Sequence, residues 1–361
     1  MKFALIFISV FTLTMSNFSP LIIKANVTMI VTFEELSHVT SIGGITLQTK
    51  VIDDTLHVMN VASGLTTYDI SDKTTPVLLD NYQDGGMAHH FFIEDNLFYL
   101  ADHADGVEIY NISNPSNLSE VGQYLPEGDG EIDGLFVKDK IIYAWEWHDS
   151  TTSTKLLVIN ASNPESLTKI SEYTDADGMF YRFVVRDDLC FTTCCQYGFK
   201  ILNVSNPLSI TEINHFEDMT YAFEIRLVGN TAYITDANRF IIMNISDVQN
   251  PTLIGEFTTI NPILGIQVFG SHVFIAEDAT GVIIVDITIP ENPVAIGQFD
   301  TPDIFGVEVD NQFLYLSLVE YGFKIIQFTV ITHTEEVSNP VTYVIIAVLC
   351  FVLITSRKHK Q

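Results

Sequence analysis

The chain is poor in basic residues: 17 Lys+Arg stand against 45 Asp+Glu, a formal net charge of −28 at pH 7. A surface of that sign repels phosphate backbones, which excludes nucleic acid as a partner. Cysteine is scarce too, 4 in 361 residues, so no disulfide framework builds the fold. The signatures G-x-S-x-G, H-E-x-x-H, G-x-G-x-x-G, the P-loop and paired C-x-x-C do not occur. Helical periodicity is missing from the body of the chain. What is plentiful is apolar and aromatic: 47% hydrophobic residues with 25 Phe and 14 Tyr, a composition that excludes disorder.

The two ends carry the long apolar runs. Residues 1–25 read as a signal peptide, with Lys2 as the positive start and Phe3 to Leu13 as the apolar stretch. Val341 to Thr355 is uncharged and apolar and is followed by Arg357, Lys358, His359 and Lys360, the order of a transmembrane anchor with an inside tail. The span is short for a bilayer, so a thin anchor at 341–356 and a tail removed on sorting both remain open. On either reading the chain is exported, displayed at the cell surface and held there through a short stalk, 330–340, before a basic tail, 357–361. Lys2, Lys24, Arg357, Lys358 and Lys360 leave with the ends and no acidic residue does. The exported part thus keeps 12 basic against 45 acidic residues, net −33.

Between the ends the sequence repeats. GLTTYDIS from Gly64, GVEIYNIS from Gly106, KLLVINAS from Lys155, GFKILNVS from Gly198, RFIIMNIS from Arg239, GVIIVDIT from Gly281 and GFKIIQFT from Gly322 align. Their polar anchors, Asp69, Asn111, Asn160, Asn203, Asn244, Asp286 and Gln327, are 42, 49, 43, 41, 42 and 41 residues apart. Each unit holds four short β-branched runs divided by Gly, Asp, Asn and Pro turn signals, and four antiparallel strands in about 42 residues make one propeller blade. The last unit lacks a fourth strand, and Phe33 to Ser41 (FEELSHVTS) matches one. The expected fold is therefore all-β: a seven-bladed β-propeller of four-stranded blades over 26–329, its ring closed by an N-terminal strand, plus a C-terminal transmembrane helix.

Segments such as LLVINASNP (Leu156–Pro164) and VIIVDITIPENPVAIG (Val282–Gly297) resemble the LVIVD repeat, a β-propeller repeat of bacterial and archaeal surface proteins. The resemblance spans about Glu34 to Phe328 and implies the fold; the family has no catalytic signature to carry over, so function rests on sites.

Strand order puts the fourth-to-first connections and the second-to-third loops on one face, which is acidic. Residues closing the second strands there include Asp102, Glu146, Asp236 and Glu277, either a convergent ligand-binding set or simple turn caps. Asp129-Gly-Glu131-Ile-Asp133-Gly134 has the alternating carboxylates of the first half of a Ca²⁺ loop, echoed by Asp175-Ala-Asp177-Gly178; the alternative is two solvated acidic loops. The tunnel mouth should be lined by the column Gln48, His90, Gly134, Arg182, Glu224, Gly265 and Phe305, within which His90, Arg182 and Glu224 could meet a small polar ligand. His89, His90 and His103 fit either a transition-metal site or partly buried histidines of one blade. Both tryptophans, Trp145 and Trp147, lie in the longest unit beside a polar loop, as a contact for a protein or glycan or as blade packing. Cys190 and Cys194, about 13 Å apart along one strand, cannot pair with each other and read with Cys195 as a buried thiol cluster.

These features fit a membrane-anchored, non-catalytic binding or adhesion module whose acidic face meets a protein or glycan. The alternatives are an extracytoplasmic enzyme acting on a polar substrate such as a glycan at the tunnel, and a self-assembling surface coat component.

Overall fold

The computed structural model describes residues 25–40, 44–62, 64–83, 85–148, 153–175, 180–319 and 322–336. Seven four-stranded antiparallel sheets form blades 1 to 7. Blades 1 to 6 each take consecutive strands from 46–82, 90–124, 130–175, 183–216, 222–258 and 263–300. Blade 7 takes three strands from 304–336 and its outer strand, Ala25–Val39, from the start of the chain. That strand pairs antiparallel with Gly322–Glu336, Phe33 opposite Phe328, and closes the ring as expected.

The recurring anchors explain why the chain turns where it does. The side-chain oxygens of Asp69, Asn111, Asn160, Asn203, Asn244 and Asp286 each accept the N–H two residues on, at 2.8–2.9 Å. This is the Asx turn that Asn and Asp favour, and it stops the third strand of each blade. Blade 7 has Gln327 there, whose longer side chain does not make that turn, and its strand runs on to Glu336. Residues 330–336, read from the sequence as stalk, are therefore strand, paired with 25–31. Ala25, placed at the end of the leader, is strand as well. A third strand runs away from the loop face, so this ribbon leaves the disc on the side opposite the acidic connections.

The core is divided into seven clusters, each shared by two neighbouring blades, including the pair that joins blade 7 to blade 1. Strands buried on both faces explain the near-continuous Val, Ile, Leu and Phe of the repeat. Close approach between blades needs glycine in the outer strands: a Cβ on Gly122 would lie 1.8 Å from the Pro164 carbonyl oxygen, and one on Gly255 2.1 Å from that of Pro290. The Asn163-Pro164 corner of blade 3 and the Ile289-Pro290 corner of blade 6 dock there. Among the described residues no helix is long and apolar enough to cross a membrane. The proposed signal up to residue 24, the anchor at 341–356 and the tail at 357–361 lie outside them.

Candidate functional site

The innermost strand of every blade faces the central tunnel. Gln48, His90, Gly134, Arg182, Glu224, Gly265 and Gly306 occupy equivalent places on these strands, opposite Met59, Ala101, Trp145, Thr193, Thr235, Ala276 and Ser317 of the second strands. Blade 7 presents Gly306 in this column; Phe305, expected there from the sequence, sits one residue earlier, at the bulged place that Leu47, Asp133 and Leu264 hold in other blades. Two residues further along each strand come Lys50, Phe92, Phe136, Val184, Arg226, Gln267 and Glu308, and these line a cavity of about 460 Å³ together with His90, Arg182 and Glu224.

The charges in this cavity are paired. Glu224 is gripped by Arg226 and stands 3.9 Å from Arg182 Nε. Lys50 Nζ lies 2.5 Å from Glu308 Oε1, joining blade 1 to blade 7. Three cations against two carboxylates leave the tunnel slightly positive inside a strongly acidic protein. His90 is neutral: burial, then the Arg182 and Arg226 charges, press its pKa well below the usual value. Its Nδ1 accepts the Leu135 N–H at 3.4 Å. Sequence reasoning found His90, Arg182 and Glu224 and missed Lys50, Arg226 and Glu308, although the two-residue period of a strand carries the same column inward.

The second-strand carboxylates do not converge. Asp102, Glu146, Asp236 and Glu277 are buried, and each turns toward its own blade. Glu277 Oε1 accepts the Ile260 and Asn261 N–H groups at 2.8 and 3.0 Å. Burial alone would raise its carboxyl pKa; the donors from Asn261, Thr280 and Ile260 outweigh burial and hold it below the usual range. Asp236 accepts the Tyr221 N–H and pairs with Arg239. Asp102 lies against Gly86 and Glu146 against Gly130, where no Cβ would fit. Asp236 and Glu277 are thus clamps that tie the fourth-to-first connection to the second strand, whereas Glu146 pairs with His148 Nε2 of its own strand at 2.8 Å.

Nor is the Ca²⁺ loop a loop. Glu131 and Asp133 lie on the first strand of blade 3, Gly130–Lys138, and each carboxylate meets a different histidine. Asp129 is 3.2 Å from His148 Nδ1, Glu131 3.1 Å from His103 Nε2, and Asp133 3.0 Å from His89 Nδ1. Asp177 and the side chain of Asp175 lie outside the described residues. Trp145, 3% exposed, is covered by Gly134 and Tyr181 and is packing rather than a surface contact. Trp147 is half-buried against the same cluster. Cys190, Cys194 and Cys195 are buried, and burial pushes the Cys190 thiol pKa up.

The loop face keeps its acid. Glu127 and Glu217 are about four-fifths exposed, and Asp218, Asp278, Asp300 and Asp303 are exposed with them. They lie in or beside the connections of that face.

Residues 49–84, 85–125, 220–259 and 264–301 match the LVIVD repeat, so the chain carries four recognisable copies of it. No curated protein matches the sequence. Solved structures match by shape. The beta-propeller domain of Myceliophteria thermophila Cps50 (Swd1) is 10% identical with a TM-score of 0.65, covering 81% of this chain and 98% of that one. The WD40 propeller domain of Doa1 is 8% identical with a TM-score of 0.63, covering 82% and 97%. The computationally designed Ika8 protein is 8% identical with a TM-score of 0.57, covering 81% and 99%. Identities this low speak to fold alone.

Proposed function

We propose that this LVIVD-repeat β-propeller is an exported interaction module, tethered through its C-terminal apolar segment, that docks a cationic protein surface on its acidic loop face. The observation that carries the reading is the polarity of the disc. The two ends of the described chain leave together as the ribbon of 25–31 and 330–336 on one side, and the rim of Glu127, Glu217, Asp218, Asp278, Asp300 and Asp303 opens on the other. A tether placed after Glu336 would hold the disc with its acidic rim outward. A single-sign rim of this kind attracts oppositely charged partners and speeds their encounter in a salt-dependent way.

Two measurements test it. A membrane-impermeant amine reagent applied to intact cells expressing the full chain should label the propeller, and the label should sediment with membranes. Labelling only after lysis would sink the export reading. Docking is tested with an immobilised Lys-rich peptide as the probe: retention should be salt-sensitive and should fall in a Glu217→Lys, Asp218→Lys, Asp303→Lys variant. Equal retention of that variant would sink the docking face.

The tunnel supports a second reading. A cavity of about 460 Å³ holding Arg182, Arg226 and Lys50 with one net positive charge suits a small polar ligand that carries an anionic group. Small carboxylates and sugar phosphates should raise the melting temperature of the wild type and not of Arg226→Met. A melt indifferent to all of them would leave the tunnel a structural channel.

A further inference from the structure

His89 stands just before the first strand of blade 2, His103 just after its second strand, and Asp133 on the first strand of blade 3. Their donor atoms lie within 4.8 Å of one another. The backbone holds them there rigidly. His103 and Ile132 exchange reciprocal N–H to carbonyl bonds at 2.9 Å, locking blade 2 to blade 3 at this point. His103 has φ of 47°, a left-handed conformation that few residue types tolerate, so its ring is aimed by a constrained backbone.

The two imidazoles lie side by side, centroids 5.2 Å apart and tilted by 59°. Asp133 Oδ1 is buried and 3.0 Å from His89 Nδ1, yet takes no hydrogen bond of proper geometry. A buried oxygen in that condition is expensive unless something else satisfies it. Glu131 Oε2, on the same strand, lies outside that group of three and stands 3.1 Å from His103 Nε2, where it orients the ring. Ligands bonded at about 2.0–2.2 Å around a tetrahedral ion stand about 3.3–3.5 Å from one another. The His89–Asp133 pair at 3.0 Å is near that spacing, and the three donors, all within 4.8 Å, need draw in only slightly.

The neighbours sharpen the contrast. Equivalent places around the mouth hold Leu47, Tyr181, Phe223, Leu264 and Phe305, so His89 and Asp133 are a polar pair in an otherwise apolar ring. Two imidazole nitrogens with carboxylate oxygens suit a transition-metal dication; Ca²⁺ prefers a shell of oxygens. We propose that His89, His103 and Asp133, with Glu131 beside them, bind one divalent transition-metal ion at the junction of blades 2 and 3, on the rim of the tunnel. The ion would staple two blades that otherwise meet through backbone bonds and packing.

The test uses the full chain in detergent, stripped with chelator and titrated with Co²⁺. Expected are one Co²⁺ per chain by calorimetry, a visible absorption band, and displacement by Zn²⁺. His89→Gln and His103→Asn should each weaken binding at least about 100-fold, since even outer-shell changes cost up to that much. Asn is chosen at 103 because it accepts the left-handed backbone. Melting in chelator should match the wild type, showing that the variants fold; if either fails this control, Asp133→Asn replaces it. No stoichiometric Co²⁺ or Zn²⁺, or binding unchanged in the folded variants, overturns the site. Stoichiometric Ca²⁺ binding without Co²⁺ binding also overturns it.

Discussion

The junction between blades 2 and 3 and that between blades 5 and 6 share one inter-blade backbone hydrogen bond and differ in what surrounds it; at the first the bond is reciprocated, at the second the Ala237 N–H turns back to the Tyr221 carbonyl of its own blade. At the first, the Ile132 N–H bonds to the His103 carbonyl at 2.9 Å; at the second, the Ile263 N–H bonds to the Ala237 carbonyl at 2.9 Å. Each near-side second strand closes on a fully buried aspartate, Asp102 or Asp236. Around the second bond stand Ala237, Pro262 and Leu264; around the first stand His103, Glu131 and Asp133. The repeat dictates turns, clamps and bridges, while the residues flanking each bridge are free to carry chemistry. Carboxylates in this protein therefore fall into two kinds, those that hold a blade together and those that face one another across a junction.

The largest effect should come from removing a clamp. Asp236→Ala takes away the acceptor of the Tyr221 N–H and the partner of Arg239 at a site with no exposure. Breaking a buried pair from one side costs about 4 kcal/mol. The midpoint of urea unfolding should fall accordingly, and a loss below about 1 kcal/mol would erase the distinction between the two kinds of carboxylate.

Histidines divide the same way, and pH separates them. His57, in blade 1 and 2% exposed, is a scaffold residue whose pKa burial lowers to about 4. The unfolded chain binds that proton from about pH 6.5 downward and the folded chain only near pH 4. This contribution to stability is intact above pH 6.5 and is lost as the pH falls through the window, about 3 kcal/mol in all. Thermal unfolding of His57→Leu against wild type between pH 7 and 4 measures it. Parallel pH curves for the two proteins would show that His57 is not the group responsible.

Much of this scaffold was legible in the sequence because its causes are local. Asn or Asp two residues before a Ser or Thr N–H makes its turn without help from the rest of the chain, so the period of about 42 reported blades directly. Closure was legible because Gly322 to Phe328 had no fourth strand to follow it. The ribbon of 330–336 was not, since its pairing with 25–31 joins the two ends of the domain and its polar residues have no strand-like alternation. In the tunnel, aligning the repeats found His90, Arg182 and Glu224. The alignment stopped one rung short of Lys50, Arg226 and Glu308. The acidic run 129–133 reads as a loop in sequence because the partners of Glu131 and Asp133, His103 and His89, are 28 and 44 residues upstream and meet them only when two blades dock.

A milder change tests whether clamps depend on charge or on shape. Glu277→Gln keeps an acceptor for the Ile260 and Asn261 N–H groups but surrenders the charge that strengthens those bonds. The expected loss is about 1.5 kcal/mol by urea unfolding, well below that of Asp236→Ala. A loss as large as Asp236→Ala would mean that the amide cannot be accommodated and that the clamp reads charge strictly.

The smallest effect belongs to the other kind of carboxylate. Asp133→Asn keeps the shape of the side chain beside His89 and removes no backbone cap, because Asp133 Oδ1 holds no well-formed hydrogen bond. In chelator the variant should unfold within about 0.5 kcal/mol of wild type, the range of substitutions that break no structural feature. With Co²⁺ or Zn²⁺ present the two proteins should separate, since an ion bound only by the folded wild type stabilises it in proportion to the logarithm of its concentration over Kd. A single substitution that is silent without metal and destabilising with it is the behaviour of a site grafted onto a scaffold. A substitution equally destabilising in both conditions would place Asp133 with Asp236 and Glu277 among the clamps.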